Sequence, residues 1–95
     1  MPGNRDYTVV FSDHVTAKDI PALSSPVRKT LRHAIETRLT IAPLQYGKPL
    51  RGSLKGFRWL RAGDYRIVYS IHETKRLVYV VAIGHRRDIY KRFGH

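Results

Sequence analysis

Apolar and polar residues alternate through Arg58-Trp-Leu-Arg-Ala62 and again through Tyr65-Arg-Ile-Val-Tyr69, with Gly63-Asp64 between the two runs. Two runs of period two around a pair that accepts positive φ predict a β-hairpin with a two-residue turn. That register sets Ala62 opposite Tyr65, Arg61 opposite Arg66, Leu60 opposite Ile67 and Trp59 opposite Val68. Side chains alternate across a sheet, so Leu60, Ile67 and Tyr69 share one face and Trp59, Arg61 and Arg66 the other. Like charges directly opposite each other are destabilising. Two opposed arginines beside an aromatic therefore suggest a site that takes an anion; the plain alternative is a pair of solvated cations.

The same patterning places the other elements. Asp6 to Phe11 predicts a short strand with Tyr7, Val9 and Phe11 toward the core. Ser12 or Asp13 suits the cap of a helix that reaches about Leu23, with Ala17, Ile20 and Leu23 on its apolar edge and Pro21 ending or kinking it. Ser25 as N-cap and Pro26 at the first helical position open a second helix. Val27, Leu31, Ala34, Ile35 and Leu39 recur along it at helical spacing, and it stops before Pro43. Ala42 to Gly56, with three glycines and two prolines, predicts a loop without regular structure, long enough to be functional. His72 to Arg76 makes a second turn. Leu77 to Ile83 is almost wholly apolar, which predicts a central strand covered on both faces and broken by Gly84. His85 to Phe93 allows a helical turn or two, with Ile89 and Phe93 four residues apart. The order β-α-α-β-β-β with a short C-terminal helix is α+β: two N-terminal helices on one face of a mainly antiparallel sheet. Residues 1–95 read as one domain, with 1–5 a disordered tip.

Composition adds a partner class. Apolar residues make up 42%, which suits a folded chain. There is no cysteine, hence no disulfide framework and no thiolate metal site, as fits a cytoplasmic protein. No apolar run nears the ~20 residues of a membrane span, and the polar start Met-Pro-Gly-Asn-Arg-Asp does not read as a secretory signal. Eighteen Lys and Arg stand against seven Asp and Glu, a net charge of +11. Residues 1–46 hold six basic and four acidic residues, net +2, whereas 47–95 hold twelve and three, net +9. A basic half-domain expects a polyanion. Its strand character sets a membrane surface aside, since that partner favours a basic amphipathic helix.

The candidate chemistry follows by residue type. Gly47, Gly52 and Gly56 fit neither nucleotide-binding glycine motif. The five histidines are scattered, no metal-ligand spacing is present, no Ser/His/Asp set is legible, and no cofactor is expected. Arginine, lysine, tyrosine, tryptophan and one histidine near a common face suit metal-free cleavage of RNA, in which a ribose 2′-hydroxyl attacks the adjacent phosphate. Arg66 and Arg86 are the candidates to hold the phosphate. Tyr90 or His85 is the candidate for proton transfer, and Trp59 or Phe57 for stacking a base. Asp88 is spaced to pair with Arg92 at i, i+4.

The runs Gly47-Lys-Pro-Leu-Arg-Gly-Ser-Leu-Lys-Gly56, Leu60-Arg-Ala-Gly-Asp-Tyr-Arg-Ile-Val-Tyr69 and Ile83-Gly-His-Arg-Arg-Asp-Ile-Tyr90 resemble the RelE/ParE toxin superfamily of toxin–antitoxin pairs, most of all its RelE branch. The resemblance implies a microbial-ribonuclease-like α+β fold and a toxin that cuts mRNA in the ribosomal A site, leaving a 2′,3′-cyclic phosphate. It implies a wrapping antitoxin, expected to be acidic and partly disordered, and operator DNA bound only through the antitoxin complex. The family's functional positions carry over to Arg66, Arg86 and Tyr90 as catalytic residues. Lys55, Arg58, Trp59, Arg61, His85 and Arg87 join them as candidate RNA contacts. RelE nucleases also place two lysines on the strand before the hairpin turn; this chain has Phe57 and Trp59 there, and Lys55, Arg58 or Arg61 are the candidates to replace that charge. The alternatives are a ParE-like protein that blocks DNA gyrase without catalysis, and a plain RNA-binding module.

Overall fold

The hairpin forms in the expected register. In a computed structural model that describes residues 6–93, β3 (Phe57–Ala62) pairs with β4 (Tyr65–His72) through Trp59–Val68, Leu60–Ile67, Arg61–Arg66 and Ala62–Tyr65. Gly63 takes the positive φ of 61° that the turn requires. The tip at 1–5 lies outside the described residues.

Around this hairpin the described strands form one sheet in the order β1-β5-β4-β3-β2, with β1 (Thr8–Phe11), β2 (Lys48–Pro49) and β5 (Leu77–His85). β1 runs parallel to β5 and every other pair is antiparallel. The helices are α1 (Ser25–Ala34), α2 (Pro43–Tyr46) and α3 (Arg86–Phe93). Two π-wound segments accompany them: Val15–Asp19 stands before α1, and Ile35–Leu39 continues it.

Two apolar clusters result, one on each face of the sheet. Val15, Leu23, Leu31, Ala34, Ile35 and Leu39 pack with Leu60, Ile67, Tyr69, Val78, Val80 and Ile83. On the opposite face Ile89 of α3 packs with Leu50, Val68 and Ala82, and Leu54, Phe57, Trp59, Val81 and Phe93 close around them. β5 serves both clusters through a bulge. Tyr69 pairs with Val80 and Val68 with Ala82, so Val81 is the extra residue. Beyond it the alternation changes phase: Val80 and Ile83 face the α1 side, Val81 and Ala82 the α3 side.

Several local expectations are corrected. Ser24, not Ser25, caps α1: its side chain accepts from the Val27 N–H at 3.4 Å, and Ser25 and Pro26 occupy the first turn. Ser12 caps the π-wound segment, accepting from Val15 N–H at 3.3 Å. There the Ile20 N–H reaches Val15 O at 2.9 Å, five residues back. This wide turn puts Val15 over the core and leaves Ala17 exposed. The 42–56 loop holds α2, β2 and a 3₁₀ turn at Gly52–Leu54, since the edge of β3 offers Lys48 and Pro49 a partner at Trp59 and Arg58. Gly84 does not end β5. It pairs with Arg66 inside the strand, and Ile89 of α3 packs beside it.

Candidate functional site

The site lies on the α3 face of the hairpin, where Arg66 is its centre. Opposed pairs point to the same side of a sheet, so Arg66 shares that face with Arg61 on β3 and Gly84 on β5. Arg66 is only 7% exposed. Its Nη1 donates to the carbonyls of Gly63 and Tyr65, both at 2.9 Å. Its guanidinium stands 5.4 Å from the Trp59 ring centroid, within cation–π range. None of the ion pairs among the described residues involves it.

The other members arrive on α3. The Arg86 N–H donates to Asp64 O at 2.8 Å, so the hairpin turn fixes where α3 starts. Arg86 and Tyr90 are four residues apart and lie on one helix face. Tyr90 meets Trp59 edge to face, with centroids 5.5 Å apart, and is still 43% exposed. Buried Ile89 holds the helix down beside them. Burial lowers the proton affinity of the Arg66 guanidinium, and the charges of Arg61 and Arg86 act in the same direction; Tyr90 and Asp64 act against them. A cation desolvated among cations is relieved by an anion at that point. The arrangement is chemically a cluster of arginine cations with an aromatic wall and an exposed phenol.

Arg66, Arg86, Tyr90, Trp59 and Arg61 are thus brought together. Arg87 is exposed on the first turn of α3, and Lys55 is exposed at the corner before β3. Phe57 is half-buried in the cluster under α3, so it is packing rather than a free stacking surface. His85 pairs with Tyr65 on the α1 side of the sheet, its ring edge-on to the Tyr65 ring at 5.6 Å, and its Nδ1 accepts from the Arg87 N–H at 3.2 Å. Of the two candidates for proton transfer, Tyr90 is the one on the Arg66 face. Arg58 also points to the α1 side. Its Nη2 donates to the carbonyls of Leu44, at 2.8 Å, and Gly47, at 2.6 Å, so it braces the corner between α2 and β2.

One acidic residue had no signal in the sequence. Asp19 accepts from the Ile83 N–H at 2.9 Å and pairs with Arg92 and His14 at 3.5 and 3.3 Å. The partner of Arg92 is therefore Asp19 and not Asp88, four residues away.

Known proteins resemble this chain in sequence and in fold. The family model described as ParE toxin of type II toxin-antitoxin system, parDE, matches residues 9–90. Toxin RelG of Mycobacterium tuberculosis is 34% identical over 86 residues, 90% of this chain and 98% of that protein. Toxin RelE of the same organism is 32% identical over 91 residues, 96% of this chain and 93% of that protein. Among solved structures, the M. tuberculosis toxin-antitoxin complex RelBE2 superposes with a TM-score of 0.80 at 31% identity, covering 85% of this chain and 99% of that one.

Proposed function

This chain belongs to the RelE/ParE superfamily of toxins from type II toxin–antitoxin systems, and from that premise we propose that it halts translation by cutting mRNA in the ribosomal A site. The observation that carries the reading is Arg66: a buried guanidinium that forms no ion pair among the described residues, walled by Trp59 and flanked by Arg61, Arg86 and Tyr90. In this mechanism Arg66 and Arg86 hold the non-bridging oxygens of the scissile phosphate and stabilise the charge that grows there. The 2′-hydroxyl gives its proton to solvent water and its oxygen bonds to phosphorus. The bond to the 5′-oxygen breaks, and the Tyr90 hydroxyl supplies the proton that the leaving oxygen takes up. A 2′,3′-cyclic phosphate and a free 5′-hydroxyl result. Trp59 offers its face to the base beside the cut. The partners are the translating ribosome, its mRNA and a cognate antitoxin, acidic and partly disordered, that covers the basic face; operator DNA is reached only through that complex. None of the helices among the described residues is long and apolar enough to cross a membrane.

The test is primer extension on an mRNA translated in a cell-free system with the protein added. New 5′ ends inside codons, present only while ribosomes translate, are expected. Arg66→Ala and Arg86→Ala should each lower cleavage about 100-fold or more, the usual effect of removing one charge-stabilising donor. Full cleavage by the folded double variant overturns the assignment of the site.

Phe57 and Trp59, in place of the lysines of RelE nucleases, favour a second reading: a ParE-like inhibitor that binds DNA gyrase without catalysis. No cleavage by the folded wild-type protein, together with loss of supercoiling activity of gyrase, selects it.

A further inference from the structure

α3 carries two of the candidate catalytic groups, yet it is only eight residues long and its buried anchor is Ile89. Helices this short do not hold themselves in water; their place comes from tertiary contacts. The far end of α3 has such a contact. Arg92 Nη1 lies 3.5 Å from Asp19 Oδ1. The other oxygen of the same carboxylate accepts the Ile83 N–H at 2.9 Å. This amide is without a strand neighbour for a simple reason. β1 ends at Phe11, opposite Val80, and the chain turns away after the Ser12 N–H bonds Val80 O at 2.9 Å. Asp19 takes the place of the missing strand. It is fixed there by its position at the end of the π-wound segment and by His14 at 3.3 Å, and its side chain is only 9% exposed.

We infer that Asp19 is a positioning residue for the toxin site: through Arg92 it joins the end of α3 to β5 and so sets where Arg86 and Tyr90 stand against Arg66. The inference rests on the nuclease reading only for its catalytic consequence; the positioning itself is read without substrate. Asp19 lies sixty-four residues from Ile83 and seventy-three from Arg92, so the tie also closes the N-terminal part of the chain onto the C-terminal helix.

Trp59 is the only tryptophan and lies against Tyr90 of α3, so its fluorescence reports the seating of the helix. The experiment measures acrylamide quenching of Trp59, and single-turnover cleavage on translating ribosomes, for Asp19→Asn, Arg92→Ala, the double variant, and Lys91→Ala as a control for loss of charge. Asp19→Asn keeps an oxygen acceptor for Ile83 N–H and loses only the charge. Both single variants should quench about two- to fivefold more readily and cut more slowly by a similar factor, the range a partly exposed ion pair supports. The double variant should equal Asp19→Asn, because that change already removes the contact that Arg92→Ala removes. Lys91→Ala should match the wild type. Unchanged quenching in Arg92→Ala, additive effects in the double variant, or the same loss in Lys91→Ala overturns the inference. If the wild type does not cut mRNA but the quenching pattern holds, the nuclease reading falls and the positioning role stands.

Discussion

Tyr69 shows how one residue constrains its surroundings. It is fully buried in the centre of β4, and its hydroxyl donates to Pro43 O at 2.8 Å. A Cβ at Gly47 would overlap that hydroxyl, so the glycine marks a close approach of backbone to side chain. Burial raises the Tyr69 pKa above its ordinary 10.0, while Arg58 and the Gly47 backbone oppose the rise. A phenol whose folded pKa is raised adds stability that is complete below the unfolded value and is lost as pH climbs through the folded one. Urea unfolding between about pH 9 and 12 should therefore show the wild type losing stability more steeply than Tyr69→Phe. At neutral pH the variant should start about 1–3 kcal/mol lower, because Pro43 O is left buried without a donor. Parallel pH profiles would mean that the phenol titrates alike in both states.

Among the elements, α3 carries Arg86 and Tyr90 to the site and is held to the sheet by Ile89. Ile89 is 1% exposed and lies over Val68 and Ala82. Ile89→Ala should cost about 2–5 kcal/mol and release amide protection in α3 before that of β4, as read by hydrogen exchange; loss of protection in both together would make α3 part of the main cooperative unit. The sequence showed the hairpin in full because a two-residue turn leaves a single register. It placed Arg61, Arg66 and Trp59 on one face for the same reason. It misplaced His85 because Leu77 to Ile83 is apolar throughout, so no alternation marks the bulge at Val81 that turns the following residues over. The partner of Arg92 was illegible because helical spacing finds neighbours within a helix, whereas Asp19 comes from the far end of the chain. Arg58 looked like a surface cation; only the folded corner at Leu44 and Gly47 shows what its guanidinium bonds.

For the whole molecule, charge and topology act together. The C-terminal part with a net charge of +9 supplies β3, β4, β5 and α3, and three of its arginines, Arg61, Arg66 and Arg86, act on one another at the site. An acidic antitoxin bound there should dissociate about tenfold or more faster as salt rises from low to near-molar ionic strength, where screening shortens from ~30 Å to ~3 Å; a rate independent of salt would place the antitoxin on apolar surface instead. The bulge in β5 has one more consequence, for how the sheet finds its alignment. A strand whose residues are nearly all apolar can slip by one position and still bury apolar side chains, so its own pattern gives it no address. The address is written at its end: Ile89 packs beside Gly84, Asp19 claims the Ile83 N–H, and the Arg86 N–H meets Asp64 O. The middle of the sheet is thus aligned by the same few contacts that assemble the site, and a chain that misaligns β5 loses the cluster around Arg66 before it loses its fold.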